Sequence, residues 1–179
     1  MKGKKIFRAF LLRVMYSHVV AYFLAGIFAV SFMNYKEHYA SASLSLLMRP
    51  VSDPIVALGP MLQVVRGFII GAALLPFRKL ILEEKFGFLK LGLLVLGISS
   101  ISTIGPTPGS FEGIIYTILP LRYHLLGIPE TIIYIALFVS ILGASFRYEK
   151  KWITVLLAVS VLVICLFSTL GFLSARGIF

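Results

Sequence analysis

The chain has little acid and little sulfur. Seven Asp and Glu stand against 17 Lys and Arg in 179 residues. Its one cysteine, Cys165, excludes an internal disulfide and any multi-cysteine metal site. That residue lies deep in an apolar run and reads as a small buried apolar side chain rather than a reactive thiol. GxSxG, HExxH, Walker A and dinucleotide-binding patterns are absent. The three histidines, His18, His38 and His124, fall at no ligand spacing. No metal and no cofactor is expected. Charged residues make up only 13% of the chain, and no polar stretch is long enough for a separate soluble domain.

What is present is apolar sequence. Hydrophobic residues make up 59%, against roughly 45–50% in soluble domains. The expected fold class is an all-α integral membrane protein, one polytopic domain over residues 1–179. Five transmembrane helices follow from the apolar runs, at about 11–33, 55–77, 88–104, 129–146 and 152–173. The basic start at residues 1–13 resembles a signal peptide. The run behind it is longer than such a core and ends in no small-residue cleavage site, so it is expected to stay as the first span.

Basic residues fix the orientation. The clusters within residues 2–13, 78–90 and 147–151 hold twelve Lys and Arg. The opposite connections hold four: Lys36, Arg49, Arg122 and Arg176. This asymmetry predicts a plasma or inner membrane protein with its N-terminus in the cytoplasm and its C-terminus outside. The same clustering between apolar runs argues against nucleic acid as a partner.

Two outer connections are too apolar for plain loops. Residues 34–54 are expected to extend the first helix or lie along the interface. Residues 110–127 read as a short re-entrant or interfacial helix, with Ser110 capping its start, Glu112 in its first turn, a kink at Pro120 and an end at Gly127. The alternative counts this segment as a sixth, partial span. Before it, Gly105-Pro106-Thr107-Pro108-Gly109 cannot continue a helix. Gly67 and Gly71 form a GxxxG, and Ala21, Ala25 and Ala29 recur every four residues. Such spacings let helix backbones approach closely, within the chain or between subunits.

One charge lies out of place. Arg66 sits about 16 Å along the helix from Ile55, near the centre of a hydrocarbon layer about 30 Å thick. A guanidinium there costs about 2.5 kcal/mol on insertion scales, so it needs a partner. Gln63, one turn nearer the outside, shares its face. Among outer carboxylates, Asp53 is too far along the same helix and Glu130 heads its own span at the interface. Glu112 is the expected partner, carried inward by the 105–109 breaker. The candidate ligand-binding set is therefore Arg66, Gln63, Glu112, Tyr116 and Arg49. His18 is expected to pair with Tyr22, one turn on.

Three functions are compatible with this pattern. The first is a membrane subunit of a transport or envelope- and lipid-handling system, with an outward-facing polar pocket for an anionic group. Its partners would be membrane lipids and other membrane subunits, or further copies of itself. The second is a membrane enzyme acting on a lipid or lipid-linked substrate at the outer face, with Glu112 or His124 as the acid–base group. The third is a ligand-free scaffold or assembly factor.

Overall fold

The computed structural model describes residues 2–148 and 150–178, and among these every regular element is helical. In chain order they are α1 (Lys2–Phe32), α2 (Tyr35–Ala40), α3 (Pro54–Ala57) and α4 (Gly59–Leu74). A 3-10 turn (Leu75–Phe77) leads into α5 (Arg78–Leu82). Then come α6 (Gly87–Leu96), α7 (Phe111–Tyr116), α8 (Leu121–Leu126), α9 (Ile128–Arg147) and α10 (Lys151–Ala175).

Four stretches are long and apolar enough to cross a membrane: Ile6–Phe32, Gly59–Leu82, Leu121–Arg147 and Lys151–Ala175. They contain 27, 24, 27 and 25 residues, about 36 to 40 Å at 1.5 Å per residue. That exceeds the roughly 30 Å hydrocarbon layer, and it fits an integral membrane location.

The segment expected as a third span is shorter. α6 passes into a π turn (Gly97–Ile101) and the helix stops there. The apolar helix Gly87–Ile101 is about 22 Å long. Its end has a local cause. Ser99 Oγ donates to the carbonyl of Val95 at 2.7 Å, competing with the regular ladder, and Gly105-Pro106 follows closely.

Segment 110–127 also differs from expectation. Ser110 does cap it, accepting from the Gly113 N–H at 2.9 Å. At residues 117–120 the chain leaves helical geometry, so Pro120 separates two short helices rather than kinking one. Gly127 caps the second, as expected, but does not turn the chain away from it. It keeps right-handed helical torsions, and its carbonyl accepts from the Thr131 N–H at 3.0 Å. α8 therefore runs into α9 and lengthens that span. In 34–54, Asn34 adopts a left-handed conformation and turns α2 off the end of α1. Asp53 caps α3 through the Ile55 N–H at 2.9 Å. That bond first, and then Arg49, hold its carboxyl below the usual carboxylate range.

α1 is the central helix, packed against α4, α9 and α10, while α6 covers α9 and α10 also covers α3 and α4. The core between α1 and α9 includes Phe10, Val14, Phe138 and Leu142. Met15 and Val19 pack against Val161 and Ile164 of α10. The GxxxG of α4 serves contact within the chain. A Cβ on Gly67 would lie 2.9 Å from Met15 Cγ and 3.0 Å from Met15 Cα, and one on Gly71 would lie 3.1 Å from Leu11 Cδ2. Ala21, Ala25 and Ala29 are all buried, so α1 presents a smooth strip to its neighbours.

Candidate functional site

Of the small residues of α1, Ala25 lines a polar groove of about 230 Å³. Tyr22 and Ala25 come from α1, and Arg66 from α4. Glu130, Thr131, Tyr134 and Ile135 share one face of α9, at helical spacing. Val95 of α6 and Ser99 and Ser100 of the π turn close the far side. Consecutive residues of a regular helix diverge by about 100°. Here the π turn brings two consecutive serines to one cavity. Arg66 and Ser99 are both exposed while lining it, so the groove is open rather than sealed.

Arg66 and Glu130 face this groove without meeting. Among the described residues the ion pairs within 4 Å are Arg49–Asp53 and Lys90–Glu84. Glu130 Oε2 instead accepts from the hydroxyl of Tyr35. Tyr35 stacks on Tyr39 with centroids 5.0 Å apart. Burial first, and then the hydrogen bond to Glu130, push the Tyr35 phenol well above its ordinary range. Burial and the Glu130 charge push Tyr39 up to about 12. Tyr35 therefore keeps its proton and stays a donor.

A second polar group lies beside the groove and fixes one of its walls. His18, fully buried, contacts Tyr134 Oη through Nδ1 at 2.7 Å and Gln63 Oε1 through Nε2 at 3.1 Å. Gln63 Nε2 donates to the Gly59 carbonyl at 3.4 Å, which leaves its oxygen as the acceptor. His18 thus carries its proton on Nε2, and Nδ1 accepts from Tyr134. Three helices are tied through one imidazole. Tyr22 makes only an aromatic contact with His18, at 6.2 Å between centroids. The expected His18–Tyr22 pairing is replaced by bonds across helices.

The other candidates scatter. Glu112 is not the partner of Arg66. Its Oε2 accepts from the Gly105 N–H at 2.9 Å, because the 105–109 breaker folds back onto the start of α7. His124 Nδ1 accepts from the Gly109 N–H at 3.2 Å, and its Nε2 lies 3.4 Å from Thr117 Oγ1. Gly105 and Gly109 hold φ values of 98° and 89°, a region open to glycine at little cost. Glu112 and His124 thus fasten the loop. Arg49 pairs with Asp53 at 2.9 Å. Tyr116 is 72% exposed and lines no wall of the groove. Gln63 acts through His18 rather than beside Arg66. Among the described residues no three His, Cys, Asp or Glu side chains converge as a metal-binding group.

Of the expected set, only Arg66 lines the groove. Sequence reasoning missed Tyr22, Ser99, Ser100, Glu130, Thr131 and Tyr134 as its companions. Two signals were present: the polar run Glu130, Thr131, Tyr134 at helical spacing, and the Ser99–Ser100 pair in an otherwise apolar helix. No family model, curated protein or solved structure matches the chain.

Proposed function

We propose that this protein is a membrane subunit of a transport or envelope- and lipid-handling system, and that its outward-facing groove binds an anionic group. One observation carries the reading. Arg66 lines a hydroxyl-rich cavity and, among the described residues, has no carboxylate within 4 Å. Uncompensated charges at membrane depth are costly and mark sites or pathways. Ser100, Thr131 and Tyr22 add neutral polar groups around it.

The accompanying topology has five spans, with the short Gly87–Ile101 helix counted among them. The N-terminus lies in the cytoplasm and the C-terminus outside. This follows from the twelve basic residues on one side against four on the other. The groove then opens toward the outer half of the membrane. The partners are membrane lipids and further membrane subunits.

The test is native mass spectrometry of the protein purified in mild detergent, compared with Arg66→Gln. The wild type should retain anionic lipid or an anionic small molecule, and Arg66→Gln should lose about tenfold of it. Equal retention by both would sink the reading.

A further inference from the structure

Two opposite charges line the groove beyond ion-pair distance of each other. Among the described residues neither has a counter-charge within 4 Å, and the groove they line has a volume of about 230 Å³. Tyr22, Ser100 and Thr131 bring hydroxyls that can donate, whereas Ser99, Tyr134 and Glu130 are left as acceptors. Ser99 Oγ has its proton on the Val95 carbonyl. Tyr134 Oη has its proton on His18 Nδ1. Glu130 accepts from Tyr35 at one oxygen, and among the described residues its other oxygen has no hydrogen-bond partner. All three can only accept more. A phosphodiester without an amine carries acceptors and no donor; it can take donors from Arg66 and from the hydroxyls of Tyr22, Ser100 and Thr131, but it leaves those three acceptors unmet. The complementary ligand brings an oxyanion to the arginine and N–H donors to the acceptors.

We infer that the groove takes a zwitterion bridging Arg66 and Glu130, with an oxyanion on Arg66 and a primary ammonium on Glu130, Tyr134 and Ser99. This is the chemistry of a phosphoethanolamine headgroup. The inference rests on the proposed anion-binding role of Arg66 and names the ligand class for it. A quaternary ammonium has no N–H and leaves the three acceptors unmet. A phosphoglycerol group has hydroxyl donors and no positive charge for Glu130. In the five-span arrangement, the short Gly87–Ile101 helix falls about 8 Å short of the hydrocarbon thickness. The groove wall on that side is low, and a headgroup enters there sideways while its acyl chains stay in the bilayer. A soluble aminoalkyl phosphate offers the same groups from the aqueous side.

The test places the full-length protein in nanodiscs containing equal amounts of phosphatidylcholine, phosphatidylethanolamine and phosphatidylglycerol, with bound lipid read by native mass spectrometry. Phosphatidylethanolamine should be enriched over the other two by about tenfold, the factor expected of one charge-assisted hydrogen bond. Glu130→Gln keeps an acceptor for Tyr35 and should abolish the enrichment. Arg66→Gln should lower binding of all three lipids, and Arg66→Lys should restore it in part. Melting temperatures of the variants separate lost binding from lost fold. Soluble phosphoethanolamine is added in a parallel arm. If it displaces the lipid at millimolar concentration the ligand is a soluble zwitterion, and if it does not the ligand is a lipid; both keep the bridging chemistry. Arg66-dependent binding with no preference among headgroups overturns the inference and leaves the anion site standing. Binding that does not depend on Arg66 overturns both.

Discussion

His18 is the residue on which the groove's geometry turns. It bonds α4 through Gln63 and α9 through Tyr134, and both partners are polar groups inside an apolar bundle. His18→Ala leaves them without their acceptor and donor, at about 1–3 kcal/mol for each unsatisfied group. The expected outcome is a loss of about 2–4 kcal/mol, seen as a large drop in the thermal midpoint in detergent. Tyr22→Phe should leave that midpoint unchanged, because Tyr22 only touches the ring. A stable His18→Ala, or a destabilised Tyr22→Phe, would contradict the assignment. The sequence marked Arg66 as misplaced because a single charge in an apolar run is a local fact. It gave no means of ranking Glu112 against Glu130. Both are carboxylates at helix starts, and the choice depends on which way each helix is rotated.

At the scale of elements, α4 and α1 are joined by a glycine contact with no slack. Gly67→Ala adds a methyl 3.0 Å from Met15 Cα and 3.2 Å from Met15 O. Alanine improves helix propensity by about 1 kcal/mol. Overpacking costs about 1–3 kcal/mol, and it dominates here because backbone atoms cannot swing aside as a side-chain end can. The expected result is a lower thermal midpoint, and a higher one would show that the contact is looser than described. The close approach also carries Arg66, one residue earlier, to the edge of the groove. Helix ends were legible where they have local causes: the Ser110 cap, the basic start of α10, the breaker after the π turn. The continuation of α8 into α9 was not. Gly127 and Pro129 both signal a boundary, yet Pro129 falls in the first turn, where its missing N–H costs nothing, and Gly127 tolerates helical torsions.

For the whole molecule, orientation is the property to measure. Lys36→Cys and Lys85→Cys lie on opposite sides of the proposed membrane, in a Cys165→Ala background. A membrane-impermeant maleimide applied to intact cells should label the first and spare the second until the cells are opened. The reverse pattern would turn the groove toward the cytoplasm and remove its proposed outward role. Apolar runs, basic clusters and Gly/Pro breakers are local properties of the chain, so the helical class, the long apolar helices and the outlier status of Arg66 can be read from residue order alone. The tertiary structure alone decided which polar groups share a cavity. Helix rotation and relative depth are set by side chains meeting across the bundle: Gly67 on Met15, Ala25 lining the groove, His18 between Gln63 and Tyr134. Those contacts join residues far apart in sequence, and no local pattern encodes them. They put Glu130 opposite Arg66 and fastened Glu112 to its own loop.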